Sequence, residues 1–139
     1  MADTLDKQQR SALMSRIGPS NSKPEMAVRS CLHGLGFRFG LHNSRLLGTP
    51  DIVLRKHKTL VFVHGCFWHR HTGCRKATSP KTRVEFWQDK FLANVRRDRR
   101  VRRKLRADGW RVITVWECQT VERDRLIKLL ARHLSFNRN

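Results

Sequence analysis

The stretch Thr59-Leu60-Val61-Phe62-Val63 is apolar along almost its whole length, with a turn at His57-Lys58 before it. A strand of that composition has no face to give to water, so it belongs in the middle of a sheet covered on both sides. The rest of the chain must then supply strands beside it and helices above and below. Asp51-Ile52-Val53-Leu54 follows the turn Gly48-Thr49-Pro50, and the short turn at His57-Lys58 joins it to the apolar run as a hairpin. Weak alternation over Phe37–Leu41 gives a first strand, and Trp110–Trp116 alternates as a last one.

The helical signals fall between these strands. Ser22-Lys23-Pro24-Glu25 reads as a capping box, with Ser22 at the N-cap and Glu25 at N3. The helix behind it carries Met26, Val28, Cys31, Leu32 and Leu35 and stops at Gly34 or Gly36. From Thr82 a second pattern places Val84, Trp87, Phe91 and Val95 three or four residues apart. It continues to Val101 and Leu105 and ends at Asp108-Gly109. A last amphipathic helix from about Val121 to Leu134 has Leu126, Leu129, Leu130 and Leu134 apolar. A short basic helix over Asp6–Ile17 precedes them all, broken at Gly18-Pro19. The fold class is therefore α/β, a central mixed sheet flanked by helices. A length of 139 residues suits one domain, with an N-terminal arm over 1–20 and a core over 22–135. No apolar run has the length of a transmembrane helix and no signal pattern opens the chain, so the expectation is a cytoplasmic protein.

Charge narrows the partner. Lys and Arg number 30 against 11 Asp and Glu, a formal charge of +19, and a fold tolerates that self-repulsion when a polyanion is its normal partner. Nucleic acid fits better than a membrane or an acidic protein. The density is highest from Arg96 to Arg106, where Arg96, Arg97, Arg99 and Arg100 surround a single acid, Asp98. A run of this kind is either a solvated face or a phosphate-binding one, and a helix basic nearly all round favours phosphate.

The chemistry concentrates in His64-Gly65-Cys66-Phe67-Trp68-His69-Arg70-His71-Thr72-Gly73-Cys74. In a reducing compartment, cysteines beside histidines read as metal ligands before disulfides. Cys66, His71 and Cys74 form a C-x4-H-x2-C run, and Cys118, at the end of the last strand, can supply a fourth ligand. Four protein ligands close a zinc shell, which makes that zinc a structural staple; the alternative is a set of unrelated buried thiols. Cys31 reads as a core thiol. His64 and His69 remain free beside the staple, with Asp51 at the start of the hairpin as their companion. Phosphodiester hydrolysis needs a hard cation, a base for water and a group to stabilise the leaving oxygen. An aspartate with a main-chain carbonyl suits Mg2+, and histidines suit the other two tasks. Asp51 reads equally as a turn carboxylate, and His64 as a packed strand-end histidine.

Pro50-Asp51, a hairpin and then Phe62-Val63-His64 resemble the core of the PD-(D/E)XK, or restriction-endonuclease-like, fold, with its usual second acid and lysine missing. Gly48-Thr49-Pro50-Asp51, the string from Phe62 to His69, Glu85-Phe86-Trp87 and Gly109-Trp110-Arg111-Val112 together resemble the Vsr, or very-short-patch repair, endonuclease family from about Asp6 to Cys118. The resemblance implies a Mg2+-dependent enzyme that nicks double-stranded DNA 5′ to the thymine of a T:G mismatch. It implies that Asp51 and the backbone carbonyl of Val63 bind Mg2+, that His69 is the general base, and that His64 lies near the scissile phosphate. Glu25 would contact the water shell of the metal, besides its capping role, and Asp98 would orient a catalytic histidine or merely relieve charge. Zinc would take Cys66, His71, Cys74 and Cys118, in a loop one residue longer than the family's. Phe67, Trp68 and Trp87 would wedge into DNA from the major groove, although Trp87 also fits a buried helical stripe. Met14 would be the opposing wedge in the minor groove, with Lys7, Arg10 and Arg16 clamping the DNA. The resemblance also implies a monomer associated with the nucleoid, with mismatch-repair proteins as candidate partners. Two rivals stand beside this reading: a nickase or homing-type endonuclease of this fold with different or little specificity, and a zinc-stabilised DNA-binding module without catalysis.

Overall fold

The computed structural model describes residues 22–134. In chain order its elements are α1 (Lys23–Gly34), β1 (Gly40–Leu41), β2 (Ile52–Leu54), β3 (Thr59–His64), α2 (Val84–Ala107), β4 (Arg111–Trp116) and α3 (Arg123–Leu134). Short 3-10 turns lie at Arg55–His57 and Glu117–Thr120. The sheet order is β1-β2-β3-β4, antiparallel between the first three strands and parallel between β3 and β4. A parallel pair needs a long crossover, and the loop after β3 together with α2 provides it. The expected mixed α/β sheet is present, with β3 in its interior. Leu60 and Val61 point to opposite faces and both are fully buried.

Three layers follow from that alternation. On one face Ile52, Leu54, Val61, Ile113 and Val115 pack against Val28, Cys31 and Leu32 of α1 and Leu126, Leu130 and Leu134 of α3. On the other, Val53, Leu60, Phe62 and Val112 meet Val101 and Leu105 of α2. His64 shares its face with Leu60 and Phe62 by strand parity, so the sheet aims it toward α2. Cys31 is the core thiol its helical position implies.

Backbone placement at two turns sets where β2 and β4 begin. Gly48 adopts φ +76°, and a Cβ there would lie 2.6 Å from Cγ1 of Val101, so the turn before Asp51 closes directly against α2. Thr49 follows with φ 47°, an uncommon conformation for a β-branched residue. At the other end Asp108 and Gly109 close α2 by donating to the carbonyls of Lys104 and Arg106.

Some sequence expectations shift in detail. The strand expected over Phe37–Leu41 shortens to Gly40–Leu41, because β2 is itself three residues long and offers only Ile52 and Val53 as partners. Phe37 and Phe39 instead pack at the margin of the α1–α3 core. Met26 and Leu35 are exposed on α1; Met26 lies two residues, roughly 200° of helix turn, from the buried Val28. Ser22 caps α1 by accepting from the Glu25 N–H at 3.3 Å. Glu25 does not complete the box, since its carboxylate turns inward to Arg29 and His42. The helix expected over Asp6–Ile17, with Lys7, Arg10, Met14 and Arg16, lies outside the described residues.

Candidate active site

β3 ends at His64, and the tight loop that follows folds His69 back over it. The two imidazoles stack 3.9 Å apart at an interplanar angle of 7°. Nδ1 of His69 lies 2.7 Å from Oδ2 of Asp98, which α2 brings over the end of the sheet. A carboxylate accepts only, so the bond fixes the proton of a neutral His69 on Nδ1 and leaves the Nε2 lone pair available. Burial works against the charge on Asp98, but the His69 bond and the nearby His64 and Arg97 hold its pKa below the usual carboxylate range. His64 is driven the other way. Burial, then the adjacent His69, lowers it to about 3, so it rests neutral at any physiological pH. Its Nδ1 is buried and has no hydrogen-bond partner among the described residues.

Asp51 does not sit in that group. It gathers with Glu25 at the start of α1 and His42 just after β1, their ligand atoms within 4.8 Å of one another. The two groups adjoin through the backbone, because Oδ2 of Asp51 accepts the N–H of Val63 at 2.7 Å, one residue before His64. In an extended strand the N–H and C=O of a residue face the same side, so the Val63 carbonyl faces the edge where Asp51 lies. Burial raises the Asp51 pKa to about 7, the Val63 N–H opposing and the Glu25 charge adding to it. Glu25 is 1% exposed, and its Oε1 has no hydrogen-bond partner among the described residues. Two crowded carboxylates with an orphaned buried oxygen fit a hard divalent cation.

Burying Asp51 beside Glu25 has a measurable cost. A carboxyl whose folded pKa is about 7, against roughly 3.9 unfolded, favours folding fully only below the unfolded value. Its contribution drains away between about pH 4 and pH 7, on the order of a few kcal/mol in total. Asp51→Asn keeps the acceptor for Val63 and removes the charge. Thermal melts in EDTA should show the variant more stable than wild type at pH 8 by roughly 5–10 °C, with the gap closing by about pH 4. A gap that does not change with pH would refute the assignment of strain to this charge.

The second metal group is Cys66, His71, Cys74 and Cys118. The loop after β3 supplies three donors, and the turn after β4, the parallel neighbour of β3, supplies the fourth. Nδ1 of His71 lies 3.6 Å from Sγ of Cys66 and 3.4 Å from Sγ of Cys118. Tetrahedral zinc with ordinary Zn–S and Zn–N bonds would separate such ligands by about 3.6 Å, so three thiols and an imidazole fit it. Burial pushes the Cys66 thiol up to about 12, although hydrogen bonds within the loop lower Cys74. Without a cation, a thiol as buried as Cys66 stays protonated. Trp116 stacks on His71 with centroids 4.3 Å apart and touches His64 edge-on at 5.4 Å. It packs between the cysteine–histidine group and the histidine pair.

Around these groups lie the surfaces a polyanion would meet. Phe67, Trp68 and Trp87 form one aromatic cluster with Phe91, their rings 5.1–6.0 Å apart. Trp68 is 41% exposed, and neighbouring Phe86 is 45% exposed. Trp87 is half-buried, packed on the buried Phe91 with its ring also against Trp68 and Phe86. Arg96, Arg97, Arg99 and Arg100 are exposed on α2, on the helix that carries Asp98.

Three residues went unread in the sequence. His42 gave no signal because it stands alone, away from the histidine-rich run. Arg70 has φ 54° and donates to the carbonyls of Phe67, Ala77 and Thr78, holding the loop together. Its guanidinium also lies 4.1 Å from the Phe91 ring centroid. Glu117 accepts the Cys66 N–H at 3.3 Å, a contact between residues far apart in sequence.

Comparison with known proteins gives one consistent picture. A family model described as DNA mismatch endonuclease Vsr matches residues 2–76. The type II nicking enzyme V.XorIIP of Xanthomonas oryzae pv. oryzae is 49% identical over 119 residues, covering 86% of this chain and 87% of that protein. The DNA mismatch endonuclease Vsr of Escherichia coli K12 is 42% identical over 126 residues, covering 91% and 80%. Among solved structures, the homing endonuclease I-Bth0305I catalytic domain superposes with a TM-score of 0.60. It is 18% identical and covers 86% of this chain and all of its own, a likeness of fold.

Proposed function

The chain belongs to the family of Vsr DNA mismatch endonucleases, and from that premise we propose that it nicks double-stranded DNA 5′ to the thymine of a T:G mismatch, with Mg2+ as catalytic cation and Zn2+ as structural staple. The observation that carries the proposal is the His69–Asp98 bond at 2.7 Å beside the Glu25–Asp51 pair. A base with a fixed tautomer next to a hard-cation site is what phosphodiester hydrolysis requires.

In this reading Asp51, aided by the Val63 carbonyl, holds the cation, and Glu25 faces its water shell. The cation, when bound, neutralises phosphate charge and polarises the scissile bond. Nε2 of His69 takes the proton from the attacking water while Asp98 stabilises the imidazolium that forms. His64 is neutral and stacked beneath, so it does not compete for that proton. Its ring, stacked on His69 at 3.9 Å, steadies the base beside the scissile phosphate. Cys66, His71, Cys74 and Cys118 keep the loop that carries His69 fixed to the end of β4.

The arginines of α2 supply affinity without base choice, and Phe67, Trp68 and Trp87 supply the wedge that unstacks the mismatch step. Lys7, Arg10, Met14 and Arg16 would close on the opposite groove. The described residues of both metal groups come from one chain, which suits a monomer. No helix among the described residues is long and apolar enough to cross a membrane.

The mismatch reading is tested by single-turnover nicking of duplexes that differ only in one T:G or T:A pair, in Mg2+ and in EDTA. The T:G duplex should be cut at least about tenfold faster, since a mismatch lowers an unstacking cost of a few kcal/mol. Equal rates on both would leave a nickase without mismatch choice. No cutting of either would leave a DNA-binding module.

A further inference from the structure

His42 stands in the cation group, yet it makes its contact through Glu25. Its Nε2 lies 2.8 Å from Oε2 of Glu25. The same oxygen accepts from Nη2 of Arg29, which lies 3.5 Å from the His42 nitrogen. The two oxygens of one carboxylate are thus treated differently. Oε2 receives both donors, and Oε1 is buried with no partner among the described residues. A buried carboxylate oxygen without a donor is costly, and a native structure keeps one where a ligand completes it.

The placement of His42 is itself constrained. Its φ is 42°, outside the usual range for a residue with a side chain. Its N–H donates to the carbonyl of Asp51 at 3.1 Å, which ties the segment after β1 to the residue that begins the β2 hairpin. One strained residue therefore grips Asp51 through its backbone and Glu25 through its ring. Such strain persists where the surroundings over-determine it, and it clusters at functional sites.

We propose that His42 is a positioning residue of the cation site, holding Oε2 of Glu25 so that Oε1 faces the cation beside Asp51. It is not itself a ligand: its Nε2 is engaged by Oε2 of Glu25 and lies 3.5 Å from Nη2 of Arg29. The inference rests on the reading of Asp51 and Glu25 as the cation site. It adds the group that aims one of them.

The test is a titration of the full chain with Mn2+ as probe, bound cation being read from the loss of the free-ion electron paramagnetic resonance signal. Melting temperature and zinc content serve as fold controls. His42→Ala should weaken Mn2+ binding about tenfold, the lower end of the effect of losing outer-shell support of a metal site. His42→Gln, whose amide still donates to Glu25, should stay within about threefold of wild type. Adding His42→Ala to Glu25→Gln should cost nothing beyond Glu25→Gln alone, because the imidazole acts through that carboxylate. If His42→Ala does not fold, His42→Asn, too short to span to Glu25, takes its place in the comparison. His42→Gln as weak as His42→Ala would make the ring a direct ligand and overturn the proposal. So would unchanged binding in His42→Ala, or full additivity with Glu25→Gln. Wild type that binds no Mn2+ would instead overturn the cation site, and this role with it.

Discussion

Replacing His69 with alanine is expected to slow DNA nicking by about a hundred- to ten-thousandfold, the range a positioned general base supplies. Duplex affinity should stay within about twofold, because phosphate contacts from basic side chains dominate it. The separation follows from the geometry. His69 is held on one side by Asp98 and on one face by His64, so its free nitrogen is its single chemical asset. The α2 arginines proposed for phosphate contact are separate side chains that the substitution leaves in place. His64 cannot substitute, since burial keeps it neutral with a pKa of about 3 and its Nδ1 enclosed. Single-turnover nicking and a filter-binding isotherm on the same duplex measure the two quantities. Undiminished turnover would remove His69 from the role of base.

The parts of this architecture that were legible in the sequence are those written locally. The apolar run Thr59–Val63 fixed the central strand because burial on both faces leaves no room for polar residues. The Cys66, His71 and Cys74 spacing marked the local half of the metal group, and Cys118 was reached only by counting, as the remaining cysteine at the end of a strand; that this strand lies beside β3 was not legible. What stayed hidden depends on contacts across the sheet. Asp51 was expected with His64 and His69 but gathers with Glu25 and His42: it stands just before β2, where its carboxylate takes the Val63 N–H at the sheet edge and meets the first turn of α1. His42 and Glu117 show the same limit: a lone histidine or glutamate has no spacing to read, and its partner lies in another element. Trp116, read only as an alternating strand residue, proves to touch both His71 and His64.

The second large effect concerns the staple. Cys66→Ser is expected to lose zinc and the cooperative fold together. Structural zinc contributes about 10–16 kcal/mol in small finger peptides, and a domain of this size has about 5–15 kcal/mol in all. Phe67 packing on Phe91 and the His69–Asp98 bond hold the first half of the loop; its second half has little beside the cysteine and histidine ligands. Arg70 bonds its carbonyls, and the exposed Thr72, Gly73, Arg75 and Lys76 bring no apolar side chains to the core. Circular dichroism melts with zinc counted by elemental analysis would show loss of both; a folded, zinc-free Cys66→Ser protein would mean that the cysteines are simply packed thiols.

Both effects depend on the proposed division of labour, in which the stretch from His64 to Cys74 carries the zinc ligands Cys66, His71 and Cys74 and, between them, the base His69 that works beside the Asp51–Glu25 group. The direct measurement is nicking of supercoiled DNA by wild-type protein dialysed against EDTA, with its zinc counted before the assay. The account predicts that zinc stays bound at one per chain, that nicking is absent, and that Mg2+ alone restores it. Nicking that persists in excess EDTA, or that returns in proportion to added zinc and not to Mg2+, would contradict it.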